Sequence, residues 1–319
     1  MGLLLVSTAV FGVGCGAEST AETRSERGIR ASSTTVPLPP TPPTEGTRPP
    51  APSGPFEVAV LTEGLVDSAR SRSLPTWVFY PSVGGAPALE AGPFPVFVWA
   101  HGLDASVAYF EPLLREWAAR GYVVIAPEFP GTKATATGGP EFDGYVDQPA
   151  DVSFVLDRMV EILGPAGTRV QGLLDLEHVA VGGHSLGAIT TRGLVADRCC
   201  IDERVDAAVE ISPGDRSFPG GAPYERGVPL LVVHSSADTT FPLAEGRRVY
   251  AAATGAKHLV VLQGRPHNPF RDERARAVIV ESVLAFLDLT LKGLPGASER
   301  LAAAGATDGV ARYEGVAAP

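Results

Sequence analysis

In Ala180-Val181-Gly182-Gly183-His184-Ser185-Leu186-Gly187-Ala188, an apolar run passes into a helical pattern through Gly-x-Ser-x-Gly. A strand that turns this sharply into a helix holds its serine in a strained backbone conformation with the hydroxyl clear of the sheet. Glycines on either side let strand and helix approach closely. The plainer alternative is a glycine-rich turn whose serine caps the helix.

Outward from this turn, short β-branched or aromatic runs alternate with helical ones, the pattern of a sheet with crossover helices. Strands are expected at 56–61, 76–80, 96–100, 123–127, 179–182, 207–211, 230–234 and 259–262, and helices at 109–120, 149–163, 186–196, 245–253 and 271–291. Phe97-Val98-Trp99-Ala100 is apolar at successive positions, as a strand covered on both faces should be. The fold class is therefore α/β, with a mostly parallel eight-stranded sheet and flanking helices. Only sixteen residues separate Ile211 from Val228, too few for a large cap domain, so an open cleft is expected.

A serine hydroxyl is a poor nucleophile until a base takes its proton and a carboxylate orients that base. Asp238 follows the strand at 230–234, and His267 follows the strand at 259–262. Ser185, Asp238 and His267 thus stand in chain order, each beyond the carboxyl end of a strand. An Asx-turn is the alternative for Asp238 and a surface loop for His267, while Glu210 and Asp215 are rival acids near the end of the preceding strand. His101, His178, His184, His234 and His258 are read as packed or solvated. Acyl transfer also needs two donors for an oxyanion. The amide of Leu186 is one; the other is the amide of Leu103, on the loop opened by Gly102. Tyr109, Phe110, Phe129 and Phe241 lie near predicted strand ends and are candidate substrate-lining residues.

Residues 96–130, 184–188, 228–242 and 257–270 together resemble the dienelactone-hydrolase-like branch of the α/β-hydrolases. They are also similar to secreted cutinase-like polyester hydrolases and to platelet-activating-factor acetylhydrolase-like enzymes. The resemblance spans about residues 55–292. It implies an α/β-hydrolase fold, Ser185 as nucleophile, His267 as base, Asp238 as orienting acid, and the amides of Leu103 and Leu186 as oxyanion donors. A dienelactone hydrolase carries a cysteine nucleophile, which is absent here; cutinase-like enzymes often flank the serine with Trp and Met, where this chain has His184 and Leu186. The implied activity is hydrolysis of carboxylic esters, of polyester or lipid type among others. An acyltransferase with the same triad, and a non-catalytic binding lipoprotein of the same fold, are the alternatives.

Composition bounds partners and place. Apolar residues make up 45% and charged residues 19%, which excludes a wholly disordered chain, and 26 basic against 36 acidic residues give −10, which disfavours nucleic acid. The apolar run 3–13 is short for a bilayer span and fits a signal peptide; it ends at a lipobox-like Val13-Gly14-Cys15, which makes Cys15 a lipidation candidate. Nine prolines between 31 and 55 suit an extended linker over 16–55. The expected order is a leader at 1–15, this linker, a catalytic domain at 56–292 and a flexible tail at 293–319 with a short helix near 298–304. The expected place is extracytoplasmic, on a membrane through Cys15 or secreted. Cys199 and Cys200 form a vicinal disulfide, remain free thiols or pair between molecules. No His or Cys spacing suits zinc, and neither a metal nor a cofactor is expected.

Overall fold

The computed structural model describes residues 55–223 and 226–316. The expected leader with Cys15 and the expected linker over 16–55 lie outside the described residues, apart from Pro55.

Two long strands open the domain, β1 (Glu57–Asp67) and β2 (Arg72–Val83), followed by the two-residue β3 (Ala86–Pro87) and by β4 (Phe94–Ala100). Then come α1 (Val107–Ala119), β5 (Val123–Pro127), α2 (Gln148–Leu163), β6 (Leu174–His184), α3 (Leu186–Ala196) and β7 (Ala207–Ile211). The chain continues through β8 (Leu230–Ser235), α4 (Leu243–Ala252), β9 (Lys257–Leu262), α5 (Glu273–Thr290), α6 (Ala297–Gly305) and β10 (Ala311–Val316). All ten strands join one sheet in the order β1-β2-β5-β4-β6-β7-β8-β9-β10, with β3 on β2. From β5 to β9 every pairing is parallel; β1, β2, β3 and β10 pair antiparallel. The eight expected strands all occur, and the α/β-hydrolase architecture stands. Among the described residues no helix intervenes between β7 and β8, so no large cap covers the sheet's edge there.

Side chains alternate across a strand, and β4 shows how this builds two cores. Phe97 and Trp99 face a layer containing Phe110 and Trp117 of α1 and Phe286 of α5. Val96, Val98 and Ala100 face a layer containing Val152, Leu156 and Met159 of α2. Trp99 sits edge-on to Phe110 and tilted against Trp117, at 5.4 and 5.1 Å between centroids. This covered sheet holds the loops after β4, β6, β8 and β9 at one edge. Beyond the end of α3, Cys199 and Cys200 are joined in a vicinal disulfide.

The tail departs from expectation. Over 294–316 the chain is ordered into elements rather than a loose tail: α6 buries Leu301 completely and β10 extends the sheet to ten strands. The reason is non-local. The segment is rich in Ala and Gly and has little periodicity of its own, but the free edge of β9 supplies backbone partners, and an uncovered edge strand is a liability. Tyr313 meets His258 Nδ1 at 2.6 Å, and both nitrogens at the tip of Arg247 reach Glu314, at 2.8 and 2.9 Å. Leu301→Ala should therefore destabilise the domain by about 2–5 kcal/mol in urea unfolding; a change below about 0.5 kcal/mol, as at an ordinary surface position, would mean that the tail is not docked.

Candidate active site

Ser185 sits between β6 and α3 at φ 57°, ψ −116°, a region that side chains rarely occupy. Packing enforces it. A Cβ on Gly187 would lie 2.0 Å from the Ala100 carbonyl oxygen, and one on Gly183 would lie 2.4 Å from the carbonyl of Gly187. Only glycines allow α3 to start this close to the end of β4. The Ser185 amide donates to Ile211 O at 2.9 Å, which fixes the turn to β7.

The two other candidate residues converge on this serine. His267 Nε2 is 2.8 Å from Ser185 Oγ, and His267 Nδ1 is 2.7 Å from Asp238 Oδ2. A carboxylate only accepts, so Nδ1 carries the proton and the bare Nε2 faces the hydroxyl. Asp238 Oδ1 meanwhile accepts the amides of Thr240 and Phe241, both at 2.9 Å. The Asx-turn and the orienting carboxylate are thus two oxygens of one side chain. His234, wholly buried on β8, donates from Nε2 to Phe241 O at 2.8 Å and lies 3.5 Å from Asp238 Oδ2. Burial pushes the Asp238 carboxyl up, but the nearby His234, the bond from His267 and that from the Phe241 amide outweigh it and hold it well below the usual carboxylate range. The rival acids are committed elsewhere: Glu210 pairs with Arg192 at 2.7 Å and Asp215 with Arg248 at 2.7 Å.

Leu186 opens α3, so its amide is among those left without an intrahelical acceptor. Leu103 is aimed by a residue that sequence reasoning left as packing. His101, buried, accepts the Phe129 amide on Nε2 at 3.0 Å, and its protonated Nδ1 therefore donates to Gly102 O at 2.8 Å. Carbonyl and amide point in opposite directions across a trans peptide. Holding the Gly102 carbonyl toward His101 turns the Leu103 amide the other way. Asp104 completes the loop at φ 54°, its amide donating to Thr132 O at 2.9 Å.

A cleft of about 570 Å³ opens over Ser185 and His267, lined also by Leu103, Tyr109, Ala134, Asn268 and Arg271. Of the four aromatic candidates, only Tyr109 lines it. Phe110 is fully buried between Trp99 and Phe270, because neighbours on a helix point about 100° apart and Tyr109 holds the cleft side. Phe129 is fully buried against the His101 ring at 5.1 Å. Phe241 is buried edge-on to His267 at 5.5 Å, under the Arg216 guanidinium, and shapes the acid loop rather than the cleft.

Burial lowers His101 to about 4 despite its bond to Gly102, and burial together with the neighbouring His267 lowers His184 to about 3, both from 6.5. Both are neutral in the fold, whereas an unfolded chain protonates them below 6.5. Their contribution to stability is full above that value and is lost as pH falls toward 4 and then 3. Asp238 acts lower, its contribution being lost only as pH drops below its unfolded value of 3.8. Urea midpoints should thus fall steeply between about pH 6.5 and about pH 4, with roughly two protons taken up on unfolding. A flat profile across that window would contradict the neutral burial of the two imidazoles.

Against known proteins, a search of curated sequences finds no match. The family model for Chlorophyllase matches residues 53–217, just over half of the chain. The matched segment runs from before β1 to beyond β7 and contains Leu103, Ser185 and Leu186; Asp238 and His267 follow it. That family consists of carboxylic ester hydrolases of the α/β-hydrolase type, in keeping with the sheet, the sharp turn at Ser185 and the cleft above it. The chain belongs to the Chlorophyllase family.

Proposed function

We propose that this ester hydrolase works through an acyl-enzyme on Ser185, with His267 as base, Asp238 as orienting acid, and the amides of Leu103 and Leu186 as oxyanion donors. The observation that carries this reading is the continuous hydrogen-bond chain from Ser185 Oγ through His267 to Asp238, at 2.8 and 2.7 Å, at the floor of an open cleft.

His267 Nε2 takes the Ser185 proton as Oγ attacks the ester carbonyl, and the imidazolium is stabilised by the ionised Asp238. The carbonyl oxygen becomes an oxyanion held by two backbone amides, which need no reorganisation at that moment. Collapse breaks the bond to the alcohol, which leaves with the proton from His267. Water then enters and gives a proton to His267 as its oxygen bonds the acyl carbon; the bond from that carbon to Ser185 Oγ breaks, Oγ takes the proton back from His267, and the acid is released. The alcohol half of the substrate accordingly lies against His267, on the side of Asn268 and Arg271. An open cleft suits esters whose bulk remains outside, lipid or polyester esters included. The apolar run ending at Cys15 and the proline-rich linker after it support an extracytoplasmic enzyme held to a membrane by a lipid.

Ser185→Ala and His267→Ala should each lower kcat on p-nitrophenyl butyrate by at least about 10³-fold, and Asp238→Asn by about 10³- to 10⁴-fold, with unchanged unfolding midpoints for the serine variant. Activity of Ser185→Ala within tenfold of wild type would refute the assignment. For location, Cys15→Ser should release the domain from the detergent phase into the medium, whereas equal partitioning of the two forms would count against a lipid anchor.

A further inference from the structure

His184 precedes the candidate nucleophile in the chain, and the mechanism above leaves it without a role. Its ring is nearly inaccessible, at 3% exposure, yet it contributes to the lining of the cleft. Nε2 is 2.9 Å from the backbone oxygen of His267. A carbonyl only accepts, so the ring carries its proton on Nε2 and leaves Nδ1 bare. The second donor to that oxygen, Ser212 Oγ, stands further off at 3.4 Å. Around the ring, His267 and Phe270 lie at 4.9 Å and Phe110 at 5.8 Å between centroids. On the Nδ1 side the backbone of Gly102 closes in, where a Cβ would come within 3.3 Å of Nδ1 and 3.2 Å of Ser185 Cβ. One side chain, at the end of β6, thus bonds the loop that carries His267 and stands next to the backbone of the loop that carries Leu103.

We propose that His184 is a positioning residue for the base: its Nε2–H ties down the His267 carbonyl and so holds the His267 ring within reach of Ser185 Oγ and Asp238 Oδ2 together. The proposal rests on the reading of Ser185, His267 and Asp238 given above. The His267 backbone belongs to a loop, not to a strand or helix, and a displacement of about 1 Å at a reacting group costs up to about 10²-fold in rate. A donor at the end of β6 supplies the restraint that the loop lacks.

Gln and Met have side chains of similar length, and only Gln keeps a donor near the position of Nε2. With rates normalised to active sites titrated by burst, and with melting curves recorded for both, His184→Met should lower kcat about 10- to 100-fold with KM within about twofold. His184→Gln should stay within about threefold of wild type. The low-field proton resonance of the His267–Asp238 bond should be sharp in wild type and His184→Gln and broadened or lost in His184→Met. If Met preserves the rate and Gln does not, or if both variants behave alike, the ring only fills space and the proposal is wrong. Should the wild type show no turnover above Ser185→Ala, the assignment of the nucleophile fails instead, and the resonance still reports whether His184 holds the His267 ring: its survival in His184→Met would overturn the proposal by itself.

Discussion

The close approach of Gly187 to the end of β4 governs the rest of the site. With only 2.0 Å between the place of a Cβ and the Ala100 oxygen, no other residue lets α3 begin there. The helix that starts at this point forces Ser185 into positive φ and leaves its first amides without intrahelical acceptors. Strands β4 and β6 are parallel neighbours with Ala100 opposite Gly183, so the same contact brings the Gly102–Leu103 loop beside the serine. The turn at Ser185 and the Gly102–Leu103 loop beside it are thus two consequences of one packing constraint. Parallel pairing does the rest: β8 and β9 end at the same edge, and Asp238 and His267 arrive from their loops. Ligand sites collect at the carboxyl ends of such strands for this reason.

Electrostatics then separates histidines that look alike. His101 and His184 are buried and neutral, each spending its single N–H on a backbone carbonyl. His267 spends its Nδ1 proton on the ionised Asp238 and keeps Nε2 free for the hydroxyl. The difference lies in the partner. A carboxylate stabilises an imidazolium, whereas a carbonyl in an apolar setting fixes a tautomer and holds a loop.

Most of the fold could be read from local pattern, because strands covered on both faces are continuous apolar runs and the serine turn demands its glycines. All three triad candidates and both candidate amide donors could be picked out for the same reason: each follows a readable strand. The unreadable parts depended on distant partners. Strand β10 forms because β9 has a free edge, and nothing within 311–316 announces it. Phe110 and Phe129 stand next to cleft elements in sequence, but a helix turn and a buried imidazole send them into the core. His101 and His184 gave one usable signal, their place at strand ends beside Gly102 and Ser185. Their work becomes visible only when hydrogen-bond directions are traced.

Everything proposed for the cleft turns on Ser185 as its activated nucleophile. Treatment with a fluorophosphonate followed by peptide mapping of the adduct tests it without any choice of ester. One phosphonyl group per chain, on Ser185, is expected in the wild type, and greatly slowed modification in Asp238→Asn. An adduct on another residue, or none in a folded and otherwise intact protein, would contradict it.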